Sequence, residues 1–215
     1  TGEAEGADVA VLNTCGFIES AKIEAIDSIL QLAQLKQEGK LQKLLVAGCL
    51  PQRYREDIAQ ELPEVDGMLG AGSYTDVARA VENVMAGGRP EYFEDVRKAY
   101  DDGERVVTTP PWTAFLKIAE GCSNACAFCV IPRIRGPYRS RKQEALLAEA
   151  KSLAERGVKE LIVIAQDITR YGQDRKDGTS LATLLNELCK LDFHWIRLHY
   201  LYPEAVTGDL IETMA

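Results

Sequence analysis

Short apolar runs alternate with amphipathic stretches in the first part of the chain, and this alternation limits the fold more than any other feature. Three β-branched or apolar runs predict strands, at residues 7–14, 41–47 and 65–70. Apolar residues recurring near the helical period predict helices at residues 18–35, 54–62 and 75–85. A strand–helix alternation of this kind is typical of an open parallel sheet, so we expect an α/β domain.

The second part of the chain repeats the alternation with longer elements. Three further strands are predicted at residues 115–119, 159–167 and 195–203, with helices at 143–156 and 180–191. Polar residues follow each strand, which predicts the first half of a (β/α) barrel. Three strands cannot close a barrel, so we expect the remainder of this domain to lie beyond Ala215. The sequence starts with Thr1 and not with Met, so we also expect residues before Thr1.

Three cysteines follow the strand at 115–119 in one short loop. Cys122, Cys126 and Cys129 have the spacing C-x3-C-x2-C, with an aromatic residue before the last one. Zinc sites usually combine two separated pairs of ligands, and no second pair lies nearby in the sequence. Three thiolates in one loop suit a [4Fe–4S] cluster with one open iron. The alternative is a zinc or redox loop with coincidental spacing.

Two other cysteines, Cys15 and Cys49, each follow a predicted strand of the first domain. The carboxyl ends of parallel strands form the edge of the sheet where ligands bind, so we expect these thiols to lie close together there. The alternative is that each is an ordinary small buried side chain. A sixth cysteine, Cys189, lies on the leucine-rich side of a predicted helix, and we expect it in the core.

Composition and charge narrow the class of protein. The chain has 215 residues, 33 of them acidic and 25 basic, giving a net charge of −8. An acidic chain is a poor binder of nucleic acid. The sequence has neither a secretory signal nor an apolar run that could span a bilayer, and its cysteines fit a reducing cytoplasm. We predict domains at 1–86 and 112–215, joined by a linker at 87–111 that has room for an edge strand and a turn at 101–103.

Alternation along the last strand places Arg197 and His199 on one face, with Trp195. These polar side chains are costly against a dry helix layer, so we expect them in the barrel interior, near a cofactor or substrate. The alternative is that neighbouring carboxylates satisfy them.

With these motifs in place, the chain resembles the methylthiotransferase family of radical S-adenosylmethionine (SAM) enzymes, in its RimO branch. The matching segments are residues 13–18, 47–52, 120–129, 131–132, 135–136, 140–141, 165–167 and 197–203. Ala165-Gln166-Asp167 and the last strand distinguish this branch from the tRNA-modifying relatives. The resemblance implies an open-sheet methylthiotransferase domain followed by a radical SAM partial barrel.

The resemblance also implies a transferase that adds a methylthio group to the β-carbon of an aspartate in the twelfth small-subunit ribosomal protein. One SAM would be cleaved reductively to a radical that takes the hydrogen, and a second SAM would supply the methyl group. An electron donor and a sulfur source are implied as partners. Neither a membrane partner nor a nucleic acid is expected. The enzyme alternative is a tRNA adenosine methylthiotransferase, and the non-enzyme alternative is an iron–sulfur electron carrier or scaffold.

For the site, the resemblance implies two [4Fe–4S] clusters. Cys122, Cys126 and Cys129 would hold one, while Cys15 and Cys49 would supply two of the three ligands of the other, whose first cysteine precedes Thr1. A C-terminal β module of the family is also absent from the sequence. Five further residues are candidates for contacting SAM: Phe128, Arg139, Arg141, Gln166 and Asp167. For Phe128 the alternative is a core aromatic, and for the two arginines it is a solvated surface.

Overall fold

The computed structural model describes residues 4–98 and 105–215. The described residues form two compact units, the first within Thr1–Lys98 together with Phe128–Arg135, and the second within Ala99–Ala127 together with Gly136–Ala215. The boundary therefore falls once inside the cysteine loop, after Ala127. The predicted turn at 101–103 lies outside the described residues.

The first unit is an open parallel sheet, as predicted, and the structure shows helices on both of its faces. Its elements are β1 (Val9–Thr14), α1 (Glu19–Gln37), β2 (Lys43–Gly48), α2 (Cys49–Glu61), β3 (Gly67–Gly70), α3 (Val77–Met85) and β4 (Glu91–Tyr92). The strand order is β1-β2-β3-β4, and every pair is parallel. β4 is a two-residue edge strand inside the segment predicted as the linker. The predicted domain bounds themselves stay a prediction.

Strand β2 shows why this sheet needs a helix layer on each side. Leu44 and Val46 pack on one face in a cluster with Ile29 of α1 and Ile58 of α2. Leu45 points the other way, into a cluster with Val84 and other residues of α3 and β3. Because side chains alternate across a strand, a continuous apolar run buries both faces.

Helix α2 begins earlier than the sequence predicts. We expected it to start near Tyr54, but it starts at Cys49, and Tyr54 marks a kink with φ −127° and ψ 39°. Pro51 is tolerated because a backbone N–H in the first turn has no partner within the helix. The consequence for the site is that Cys49 is the first residue of a helix.

The second unit contains the predicted half barrel. The elements that follow along the chain are β5 (Thr113–Lys117), β6 (Ala119–Glu120), α4 (Ile131–Arg135, in the first unit), β7 (Arg139–Ser140), α5 (Gln143–Glu155), β8 (Glu160–Ile164), α6 (Leu181–Leu188), β9 (Trp195–Leu198) and α7 (Gly208–Met214). Strands β5, β8 and β9 form a parallel sheet in that order. The α/β fold class and its two-part organisation are confirmed.

One face of this second sheet is buried by its helices. Leu116, Leu161 and Val163 form a core with apolar residues of α5 and α6. On the opposite face Phe115 and Trp195 are exposed. The described residues include no helix with the length and apolar character needed to cross a membrane.

The prediction for Cys189 was wrong. Helix α6 ends at Leu188, and Cys189 is the exposed residue that follows it. The buried leucine stripe therefore ends at Leu188, although the backbone N–H of Cys189 still donates to the Leu185 carbonyl at 2.9 Å.

Candidate functional site

Cys15 and Cys49 lie at the same edge of the first sheet. Each cysteine comes directly after the last residue of a strand, and these two last residues, Thr14 of β1 and Gly48 of β2, are paired in register. A Cβ on Gly16 would lie 3.2 Å from the carbonyl carbon of Cys49 and 2.9 Å from the Cα of Leu50. The backbones that carry the two cysteines are thus in direct contact.

Side chains from the surrounding motifs hold this edge together. The Thr14 hydroxyl donates to the Ala47 carbonyl at 2.7 Å, and Arg53 Nη1 donates to the Gly16 carbonyl at 2.9 Å. Gln52 Oε1 accepts from the backbone N–H of Ala71 at 3.0 Å. Three consecutive βα turns are fastened to one another here, which fixes the positions of the two thiols.

The two thiols differ in their surroundings. Cys15 is exposed, whereas Cys49 is 7% exposed. The Cys49 sulfur accepts a hydrogen bond from Arg135 Nη2 at 3.2 Å. Arg135 ends helix α4, which belongs to the same unit.

The three-cysteine loop leaves the half barrel just after β5. Its base is closed by the antiparallel pairing of β6 with β7. Gly121 turns the chain at φ +78°, and a Cβ there would lie 2.2 Å from the Pro137 carbonyl oxygen, so only glycine fits. Cys122 N–H then donates to the Gly136 carbonyl at 3.1 Å, and Ser123 Oγ accepts from Tyr138 N–H at 3.0 Å.

Asp167 ties this loop to the carboxyl end of β8. Its buried carboxylate accepts from Asn124 Nδ2 at 3.1 Å, from Thr169 N–H at 3.0 Å, from the Thr169 hydroxyl, and from Arg170 Nε at 3.2 Å. Ala125, between Asn124 and Cys126, has φ +50°, a left-handed conformation that is uncommon for a residue with a side chain.

A cavity of about 400 Å³ opens beside the loop within the second unit. The residues that line it are Asn124, Cys126, Asp167, Arg170, Gln173, Tyr202, Glu204 and Ala205. The volume lies in the range of small-molecule sites, and the lining combines one thiol with charged groups of both signs.

The three thiols of the loop have different exposures. Cys122 is buried, Cys129 is half-buried, and Cys126 is exposed and borders the cavity. Across residues 4–98 and 105–215, no three Cys, His, Asp or Glu side chains are gathered closely enough to hold one metal ion. The donor set itself, three thiols within eight residues, has the chemistry that an iron–sulfur cluster uses. The ligand roles of these cysteines stay predictions.

Among the predicted SAM contacts, Phe128 and Gln166 have informative surroundings. Phe128 is 92% exposed, so the alternative of a core aromatic is wrong. Gln166 Nε2 lies 3.5 Å from Glu120 Oε1, while its own Oε1 is buried without a hydrogen-bond partner among the described residues. That orphaned acceptor, like the Tyr138 hydroxyl, is a group that a bound ligand or water would satisfy.

The two arginines after the loop differ from each other. Arg139 Nη1 donates to the Pro137 carbonyl at 2.6 Å. Arg141 is 5% exposed and pairs with Glu149 at 2.8 Å, and it also donates to the Lys117 carbonyl. A solvated surface is therefore the wrong description for Arg141, whose guanidinium crosslinks β5 to α5.

The last strand presents its residues as the alternation predicts. Ile196 and Leu198 pack against the core, and Arg197 lies on the other face. Arg197 Nε forms an ion pair with Glu160 at 2.6 Å. This agrees with the alternative that a neighbouring carboxylate satisfies Arg197. His199 is exposed, and its backbone N–H donates to the Val163 carbonyl at 3.1 Å.

Sequence reasoning missed three groups at the site. Tyr138 had no pattern to single it out, because its partner Ser123 is distant in sequence. Asn124 and Arg135 each belonged to a matching segment, which was a usable signal, but the resemblance gave neither of them a role.

Comparison with known families defines the class of protein. Residues 1–70 match the model of uncharacterized protein family UPF0004, and residues 116–215 match the radical SAM superfamily. The fold agrees with that of a solved structure, the radical SAM methyltransferase TsrM from Kitasatospora setae with tryptophan and a SAM analogue bound. The alignment has a TM-score of 0.55 and 12% identity, and it covers 85% of this chain and 40% of that chain. A UPF0004 segment followed by a radical SAM domain is the architecture of this chain.

Closer relatives identify the branch. The chain is 49% identical to the ribosomal protein uS12 methylthiotransferase RimO of Clostridioides difficile and 51% identical to that of Trichlorobacter lovleyi, in each case over 99% of this chain and 48% of the relative. The resemblance to the RimO branch of the radical SAM methylthiotransferases is thereby confirmed. The chain spans about half the length of these relatives.

Proposed function

We propose that the protein of which this chain forms part is a radical SAM methylthiotransferase acting on an aspartate of ribosomal protein uS12. The observation that carries the proposal is the three-cysteine loop, fixed at the carboxyl end of a half barrel beside a cavity that one of its thiols borders. Active sites of (β/α) barrels lie at this end of the strands. The relatives' names supply the substrate.

Cys122, Cys126 and Cys129 would hold a [4Fe–4S] cluster with one open iron for SAM. When bound, the cluster and SAM would together supply what no side chain can. These are a radical able to take hydrogen from an unactivated C–H bond, and a methyl group. The donor set fits the cluster, since thiolates are its ordinary ligands.

The chain's own residues position and enclose that chemistry. Gly121 allows the tight turn that aims the loop, and Asp167 fastens it through Asn124. Arg170 and Glu204 bring opposite charges to the cavity wall, where they would orient the charged groups of SAM or of the substrate.

Cys15 and Cys49 would supply two ligands of a second cluster, the carrier of the inserted sulfur. Their shared edge and the contact of their backbones support this role. A sulfur source and an electron donor would be needed as partners. Modification of a ribosomal protein, together with the cysteine content, favours the cytoplasm.

A single experiment separates uS12 from the alternative, tRNA. The whole protein, reconstituted anaerobically with iron and sulfide, is given SAM, a reductant and both substrates side by side. Mass spectrometry should find one methylthio group on the uS12 aspartate and none on tRNA adenosine, because the acidic chain disfavours a phosphate-rich partner.

The control is C126A, which removes one predicted cluster ligand and should abolish the formation of both 5′-deoxyadenosine and the methylthiolated product. A methylthio group found on tRNA alone would refute the uS12 assignment. Formation of 5′-deoxyadenosine by C126A at the wild-type rate would refute the ligand assignment.

A further inference from the structure

The hydrogen bond from Arg135 to Cys49 joins residues 86 positions apart in the sequence. Nη2 lies 3.2 Å from Sγ, and the sulfur is nearly buried. Arg135 is the last residue of α4 and Cys49 is the first residue of α2, so both ends are anchored in helices of the first unit.

We propose that Arg135 is a positioning residue for the second cluster: its guanidinium holds the Cys49 sulfur as a ligand and raises the reduction potential of the cluster. The inference rests on the two-cluster part of the proposed function. It adds to that proposal a specific residue outside the cysteine ligands.

The physical argument begins with charge. Arginine is protonated under all conditions in proteins, and the thiolate is the form of cysteine that binds metal. A hydrogen bond between two ionised groups is about twice as strong as a neutral one, so the contact fixes the sulfur in place.

The same contact acts on the electrons of the cluster. Net charge and hydrogen bonds to the sulfurs set the reduction potential of iron–sulfur clusters. Reduction adds negative charge, which a nearby guanidinium stabilises. Removing the guanidinium should therefore make the cluster harder to reduce, and lower the potential.

Two other arginines show that this contact is specific. Arg53 lies at the same edge but donates to the backbone carbonyls of Gly16 and Phe17. Arg133 lies on α4 two residues before Arg135, and its side chain makes no hydrogen bond to a cysteine in the described part of the chain. Arg133 is thus a matched control for charge on the same helix.

The test uses the whole protein with Cys122, Cys126 and Cys129 replaced by alanine, so that only the second cluster assembles. Iron and sulfide content are measured first, and the cluster is then titrated with reductant and followed by electron paramagnetic resonance. R135Q should shift the ratio of reduced to oxidised cluster at fixed potential about tenfold toward oxidised, about 59 mV for one electron. R133Q should shift it less than about twofold by the same measure.

A lysine keeps the charge but is a less well-matched hydrogen-bond donor. The reduction potential of the cluster in R135K should therefore lie between those of wild type and R135Q. If R135Q holds no iron while R133Q holds the wild-type amount, that loss supports the role of Arg135 in holding the Cys49 sulfur as a ligand. A shift below twofold in R135Q, or an equal shift in R133Q, overturns the inference.

These outcomes are separable from failure of the proposed function. If the wild-type protein assembles no iron on its N-terminal cysteines, the two-cluster reading and this inference fall together. If the cluster assembles and its reduction potential does not depend on Arg135, this inference alone is overturned. Neither readout depends on turnover or on the identity of the substrate.

Discussion

At the scale of single residues, the carboxylate of Asp167 is where the cysteine loop and the end of β8 are joined. It is 1% exposed, and it is satisfied by donors from Asn124, Thr169 and Arg170. These hydrogen bonds offset the cost of burying the polar carboxyl group. We infer that its task is to hold the loop, and its contact with SAM stays a prediction.

Tyr138 gives the first residue-scale prediction. Its hydroxyl is buried without a partner among the described residues, and burial raises its pKa above the usual value. Y138F removes this unsatisfied group without losing a bond. We expect the free energy of unfolding in urea to stay level or rise by about 1 kcal/mol.

Y171F is the matched control, because the Tyr171 hydroxyl is also buried but donates to the Arg141 carbonyl at 3.1 Å. It should lose about 1 kcal/mol. For a tyrosine whose folded pKa is raised, stability is fully present below the unfolded pKa of about 10 and is lost as pH rises above it. The advantage of Y138F should therefore widen above pH 10, and a loss of stability in Y138F at pH 7 would contradict the assignment.

At the scale of elements, the junction between β2 and α2 determines where Cys49 lies. Gly48 has φ +103° and ψ −144°, a conformation open almost only to glycine, and a Cβ there would lie 2.6 Å from the Thr14 carbonyl oxygen. The strand can thus turn directly into the helix, with no connecting loop, and deliver Cys49 to the edge beside Cys15.

G48A should destabilise the protein by about 1–3 kcal/mol through backbone strain, and by more through the clash. G39A is the control, since Gly39 has φ +71° but a Cβ there meets nothing within 4 Å. It should cost only the conformational penalty of about 1–2 kcal/mol. Both values come from urea unfolding of the same protein, and equal losses would show that the contact with β1 is not tight.

At the scale of the whole molecule, the two units have cores with no residue in common among those described. Leu44 belongs to the core of the first unit, and Leu161 belongs to the core of the second. Both side chains are fully buried. Each core can therefore be weakened separately.

L44A and L161A should each lose about 2–5 kcal/mol of local stability. Hydrogen exchange should rise in β1–β3 for L44A and in β5, β8 and β9 for L161A, because amide protection follows the local cooperative unit. Wild-type protein at the same pH is the reference. If either variant raises exchange equally in both sheets, the cores unfold as one.

The sequence alone determined the order of strands and helices, the parallel sheets, the three-cysteine loop and the edge shared by Cys15 and Cys49. These follow from local periodicity and from the rule that parallel strands end at one edge. The ends of elements were less certain: α2 begins at Cys49 because Gly48 can adopt a conformation that no periodicity records.

Tertiary structure decided the partners. Arg135 meets Cys49, Asn124 meets Asp167, and Arg197 meets Glu160. Helical and strand periods report which face a side chain occupies, but not which distant group it meets. Contacts across tens of residues depend on the path of the chain between them, and that path is fixed only when the cores pack.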